Sequence, residues 1–524
     1  DMRSAEVKRI GGVIDLRARQ FAEDQGPLSH PVRPESFQEI NNFYTATVYE
    51  KGAEVIGMLK RLVGDDAYAR ALDLYFDRHD GQACTIEDWL QVFEDSTGRD
   101  LTQFKRWYSQ SGTPRLKVSE SFDNGRYTLS FSQHTPATPG QPDKQPQVLP
   151  IAVGLLNPNG DEVVPTTVLE MTQAEQSFSF DGLAARPVPS ILRGFSAPVV
   201  LDRETPPEQK RFLLAHDTDA FNRWEASRDL ARACLERMVT EGAQPDTAWL
   251  DALEQVIRDD ALDPAFRALM LSLPTQSEMA QRLHDRGITP DPDALYAASE
   301  ALRDAMAERW SGWIGALRDA CRVSGPYDPG AEQSGKRALG GALLSLLTRL
   351  DGGAAAQAQY DAADNMTLQL GALSCLIQAG ADETALAAFA QQWQGDRLVM
   401  DKWFALQVAA TAPENAAARA EALSRHPAFD WMNPNRFRAV FGSLAMNHAG
   451  FHRKDGAGYR LMADWLIKLD DKNPQTTARM CSVFQTWKRY DAGRQALIRQ
   501  QLERIAAKRD LSRDVSEMVS RLLG

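Results

Sequence analysis

The chain has 524 residues, with 59 Lys and Arg against 71 Asp and Glu and a formal net charge of −12. Apolar residues make up 43% and charged residues 25%, ordinary globular usage that excludes bulk disorder and collagen-like character. The acidic balance argues against nucleic-acid binding as the main function, while leaving room for a local basic patch. No apolar run approaches the roughly 20 residues of a membrane-spanning helix.

At roughly 150 residues per domain the length predicts three or four domains. The chain starts at Asp1 without an initiator Met, and no apolar stretch follows its basic residues. It reads as the middle of a polar helix, which predicts that something before it has been cut away. Residues 1–113 then read as helices and loops. Val55, Ile56, Met58, Leu59, Leu62 and Val63 form a helical apolar face, and Ala67 to Phe76 repeats the pattern. Thr85-Ile86-Glu87-Asp88 predicts a capping box opening a helix through Phe93. Ser111-Gly112-Thr113-Pro114 stops the stretch.

Over residues 114–203 the period changes to two. Tyr127, Leu129 and Phe131 alternate with Thr128, Ser130 and Ser132, and Phe178 and Phe180 alternate with small polar residues. Asp123-Asn124-Gly125 and Pro158-Asn159-Gly160 supply turns, so a small antiparallel β-sandwich is predicted. Residues 204–524 read as helices broken at intervals by Pro or Gly, such as Pro264, Pro292, Gly352, Gly380, Pro413, Pro434 and Pro474. About 320 residues of ordinary helices with no clean fixed-period repeat predict an α-solenoid or superhelix. The fold class is thus a multidomain α+β protein.

Candidate chemistry is sparse. Five widely spaced cysteines without C-x-x-C predict free thiols in a reducing compartment. Eight histidines include no H-E-x-x-H; His448 and His452 have i, i+4 spacing but read as a polar loop. Gly330 to Lys336 matches G-x-x-x-x-G-K, but Arg337 follows where a P-loop needs Ser or Thr, so a solvated loop is predicted. Trp224, Trp310, Trp313, Trp403, Trp465 and Trp487 read as packing between helices. The residues alone give no complete catalytic set and no metal ligands.

One segment is unusual: Asn41-Asn42-Phe43-Tyr44-Thr45-Ala46-Thr47-Val48-Tyr49-Glu50-Lys51-Gly52-Ala53-Glu54-Val55. A tyrosine hydroxyl at a helix start can donate to a developing oxyanion. It can equally bond the backbone as a cap.

That segment resembles the stretch downstream of the zinc site in the M1 family of gluzincin metallopeptidases. The likeness continues in Leu74 to Gly81, Arg106 to Pro114, Thr135 to Pro139 and Phe195 to Val199. It resumes in Asn365 to Thr367, Val399 to Phe404, Asn433 to Arg436 and Lys488 to Asp491, all in collinear order. The resemblance implies a four-domain zinc aminopeptidase as the parent protein, broad in specificity and cytoplasmic. Residues 1–113 would be the helical end of its thermolysin-like catalytic domain, followed by the sandwich and the helical superhelix. The family's zinc ligands and general base would lie upstream of Asp1, so the chain alone is expected to bind no zinc and to be inactive. Tyr49 would be the oxyanion donor, Tyr44 would line the pocket for the first side chain, and Arg438 and Arg479 would reach the peptide's far end. The alternative for both arginines is a surface or interhelical salt bridge. Peptides, and the missing N-terminal part of the same protein, are the expected partners. The alternative is a non-catalytic sandwich-plus-solenoid scaffold binding a peptide or protein partner.

Overall fold

Ser4 opens the first helix of the computed structural model, its Oγ accepting from the backbone N–H of Val7. The structure describes residues 4–26, 29–35 and 43–524. Asp1 to Arg3 of the predicted opening helix, and Asn41-Asn42 of the tyrosine segment, lie outside the described residues. The chain divides into two units, Asp1–Leu230 and Ala231–Gly524.

In the first unit, helix Ala5–Asp15 runs through a π-helical turn, Leu16–Gln20, into Phe21–Asp24. A second π turn, Thr47–Lys51, leads into helix Gly52–Val63. Helices Asp65–His79 and Ile86–Thr97 follow. The predicted capping box is present: Thr85 Oγ1 accepts from Asp88 N, and the Asp88 carboxylate accepts from Thr85 N.

Seven strands come next: β1 (Arg115–Asp123), β2 (Arg126–His134), β3 (Leu149–Leu156), β4 (Glu162–Met171), β5 (Glu175–Phe180), β6 (Val188–Ile191) and β7 (Val200–Asp202). They form two sheets, ordered β5-β2-β1-β7 and β4-β3-β6. The β1–β2 hairpin turns at Asn124 and Gly125, both with positive φ, as a two-residue turn requires. The predicted alternation buries Tyr127, Leu129 and Phe131. One pairing departs from the antiparallel expectation: β7 runs parallel to β1, with Leu116 opposite Leu201. The inner faces do not close on themselves. Tyr127, Leu129, Phe131, Ile151 and Val153 join Val55, Met58, Leu59, Phe93 and Trp107 of the helical segment in one core. Trp107 Nε1 also donates to Val148 O at 2.8 Å.

The second unit is helical throughout its described length. Pro264, Pro292, Pro413, Pro434 and Pro474, read from sequence as interruptions, each stand at the first position of a helix. A missing N–H costs nothing there and the fixed φ is already helical. Gly352 and Gly380 follow helix ends with positive φ. The core runs through Phe389, Phe404, Phe437, Phe441, Tyr459, Leu466, Phe484 and Trp487. Trp310, Trp403 and Trp487 here, and Trp224 in the first unit, are buried as expected of packing residues, while Trp313 and Trp465 are half-buried.

Candidate functional site

The helix carrying Tyr49 has two unlike faces. On one, the stripe Thr47, Lys51, Glu54, Val55, Met58 and Leu59 is buried. On the other, Tyr44 and Tyr49 are 60% and 58% exposed, large values for aromatic side chains in a folded chain. Their rings stack with centroids 6.3 Å apart and planes 27° apart, and Phe43 meets Tyr44 edge-on.

Polar groups, not only apolar contacts, hold the buried face. Glu23 Oε1 accepts from both Thr47 N, at 2.8 Å, and Thr47 Oγ1, at 2.6 Å. Lys51 Nζ donates to Asp24 Oδ2 at 2.8 Å and to Gly112 O at 3.0 Å, and lies 5.8 Å from the centroid of the Trp107 ring. Asp24 also accepts from Gly112 N and Thr113 Oγ1. Burial alone would raise the Asp24 carboxyl; the Lys51 charge and these hydrogen bonds carry it below its ordinary value instead. Arg9 makes a bidentate pair with Glu54, at 2.5 and 2.7 Å, and donates to Gly194 O and Phe195 O. The π turn is thereby tied at Thr47 and Lys51, and the helix after it at Glu54, while Tyr49 is exposed. Single π turns inside α-helices are frequent at functional positions.

Among the described residues, neither the Tyr44 nor the Tyr49 hydroxyl has a hydrogen-bond partner. Among the described residues the Tyr49 hydroxyl therefore does not form the backbone-bonded cap weighed from sequence. The cap at this turn is Thr45, whose Oγ1 accepts from Val48 N. Both hydroxyls are free to donate to a ligand.

The two arginines lie in the second unit. Arg438 begins a π turn, Arg438–Gly442, and is exposed; its guanidinium folds back onto Pro434 O and Asn435 Oδ1. Arg479 is exposed on helix Pro474–Cys481. Among the described residues neither has a carboxylate partner, so the salt bridges weighed from sequence are not made. Arg436, two residues before Arg438, is the structural arginine of this turn: it is buried, paired with Asp401 and stacked over Phe404.

Two sequence expectations need correction. His448 and His452 do not form a polar loop; both are buried. His448 Nε2 shares a 2.9 Å hydrogen bond with the Tyr490 hydroxyl, and His452 Nδ1 one of 2.8 Å with the Tyr459 hydroxyl. Burial, aided by the Arg489 and Arg494 charges, pushes the His448 imidazole down to about 3 and His452 well below its ordinary value. Nor is the Gly330–Lys336 stretch a loop: Gly330 caps helix Ala331–Asp351, and Lys336 pairs with Glu332 at 2.7 Å. Among the described residues no group of three or more His, Cys, Asp or Glu could hold a metal ion.

The sequence reading missed the Glu23–Thr47 and Asp24–Lys51 pairs. A signal existed for the second, because Lys51 sits four residues before Val55 and seven before Met58, on the apolar stripe.

Comparison with known proteins agrees with this arrangement. The "Peptidase family M1 domain" profile matches residues 5–108, and the DUF3458 "Ig-like fold" profile matches 112–204. The DUF3458_C "ARM repeats" profile, described as a domain of unknown function, matches 207–524. Aminopeptidase N of Caulobacter vibrioides is 42% identical over all of this chain, and that of Escherichia coli 39%. The chain spans 61% and 62% of the length of these two relatives. The crystal structure of Legionella pneumophila aminopeptidase A in complex with aspartic acid is 29% identical, with a TM-score of 0.79. That match covers 98% of this chain and 62% of the other. With the ARM-repeat profile matching more than half of its length, the chain belongs to the DUF3458_C family, and over its whole length it is similar to bacterial aminopeptidase N.

Proposed function

We propose that the chain is the C-terminal part of a zinc-dependent aminopeptidase that releases N-terminal amino acids from peptides, and that Tyr49 stabilises the oxyanion. The observation that carries this reading is the Tyr49 hydroxyl, unpartnered among the described residues and projecting from an anchored π turn, in a chain 42% identical to an aminopeptidase N. The zinc, its ligands and the general base belong in this reading to a segment outside this sequence, and that segment is the chain's expected partner.

In the reaction, a peptide carbonyl oxygen gains negative charge as its carbon becomes tetrahedral. In this reading the Tyr49 phenol hydroxyl donates to that oxygen, and the turn that carries it is held by the Thr47 and Lys51 anchors, so little reorganisation is needed. Tyr44, stacked on Tyr49, forms a wall for the first side chain. Arg438 and Arg479, in the second unit and without carboxylate partners among the described residues, are suited to carbonyl or carboxylate oxygens of a peptide. The setting is cytoplasmic, consistent with five free cysteines; among the described residues no helix is long and apolar enough to cross a membrane.

The test is Tyr49→Phe in the longer protein, assayed on an alanyl anilide. Turnover should fall by about 100- to 1000-fold with KM little changed. An unchanged turnover removes the oxyanion role. The 524-residue chain alone should show no hydrolysis; one tight zinc per chain together with activity would overturn that part.

A further inference from the structure

A second candidate site lies in the helical unit, within the region whose G-x-x-x-x-G-K pattern the proposed function leaves unused. Helices Ile314–Ala320, Ala331–Asp351 and Ala354–Ala362 wall a cavity of about 420 Å³. Its lining carries four cations, Arg318, Arg322, Lys336 and Arg337, against one carboxylate, Asp364.

The bonding of these cations is unequal. Arg322 and Lys336 have ordinary partners, Asp319 and Glu332, on their own helices or the turn after them, in pairs that are largely exposed and exchange easily. Arg318 and Arg337 have no carboxylate partner among the described residues. Arg318 donates to Gln359 Oε1 at 3.0 Å, and its Nε is buried with no acceptor at all. Arg337 is only 6% exposed, stacks 4.5 Å from the centroid of the Tyr327 ring, and donates to Gln333 Oε1, Asp328 O and Ser334 Oγ, all neutral.

A buried guanidinium held only by neutral acceptors is costly, since desolvation is not offset by an opposite charge. An orphaned buried N–H beside it adds to the cost. Both costs fall together if a negative ligand enters the cavity they line. The fixed forks of two arginines suit the oxygens of a tetrahedral or planar oxyanion, and Lys336 adds a flexible point charge.

We propose that this cavity binds a small, soluble, multiply charged oxyanion, with Arg318 and Arg337 as its central donors and Lys336 and Arg322 at its mouth. Phosphate-type and carboxylate-type anions share this chemistry, so the experiment uses inorganic pyrophosphate and citrate as separate probes.

Isothermal titration calorimetry on the whole 524-residue chain should give saturable one-to-one binding of at least one probe. The probe that binds names the anion type. Arg318→Ala should weaken it by about tenfold or more, the scale of a charge-assisted hydrogen bond. Lys336→Ala, a change at a half-buried side chain, should weaken it several-fold. Arg126→Ala, on β2 of the sandwich, should change nothing. Circular dichroism checks that each variant is folded. Absence of saturable binding of both probes at millimolar concentration overturns the proposal, and so does binding that Lys336→Ala leaves unaltered.

Discussion

Lys51 Nζ lies 2.8 Å from Asp24 Oδ2, both side chains closed to solvent, only two residues from the exposed Tyr49. An ion pair this deep contributes little net stability against an apolar alternative, but removing one partner strands the other. Lys51→Met should therefore destabilise the first unit by about 3–5 kcal/mol. Amide exchange of helix Gly52–Val63 under increasing urea reads this directly, and unchanged protection would refute it. The same pair sets an acid limit. Because the folded Asp24 carboxyl lies below its ordinary value, its stabilisation is complete above about pH 4 and is lost as pH falls through the folded value.

Gly112 joins that network to the strands. It has φ +94°, donates to Asp24 Oδ1, and a Cβ there would lie 2.9 Å from Thr135 Cγ2. Gly182 has φ +78° but open space around it. Gly182→Ala should cost about 1 kcal/mol from backbone strain alone, and Gly112→Ala clearly more. Equal losses in urea midpoint would mean that the close approach to Thr135 is irrelevant.

Thr85→Ala tests the capping box. It removes the acceptor for Asp88 N and should cost about 1 kcal/mol, with faster exchange confined to the first turn of helix Ile86–Thr97. Exchange rising uniformly along that helix would point to a packing change instead.

Which features were readable from sequence follows from how local their causes are. The Thr85 cap, the Asn124–Gly125 turn and the Tyr127, Leu129 and Phe131 alternation each depend on residues within a few positions. The prolines marked the breaks between helices correctly, because at the first position of a helix the missing N–H costs nothing. The parallel β1–β7 pair joins Arg115 to Val200, and a period of two is the same for either strand direction. The tyrosine segment stood out as an unusual helix start, but the anchoring of its turn depends on Glu23 and Asp24, which carry no local mark. The two histidines failed for a similar reason: the hydroxyls that bury them come from Tyr459 and Tyr490.

That histidine cluster gives the sharpest dependence on pH. His448 and His452 rings lie 4.9 Å apart, enclosed by Tyr459 and Tyr490, with Arg489 donating to the Tyr490 oxygen and Arg494 to His452 O. No carboxylate bonds either imidazole among the described residues, so protonation adds a charge beside two guanidiniums. Between the unfolded value near 6.5 and the folded value of about 3 for His448, the unfolded chain holds the extra proton. Stability from His448 is then complete above about pH 6.5 and falls as pH drops through that window, by up to about 1.4 kcal/mol per pH unit, and His452 acts in the same direction. His448→Gln removes one of the two groups. The variant's urea midpoint, followed in the second unit from about pH 7 to about pH 5, should fall less steeply than that of the parent chain. Parallel slopes would show that His448 is already charged, or takes its proton without cost, in the folded state.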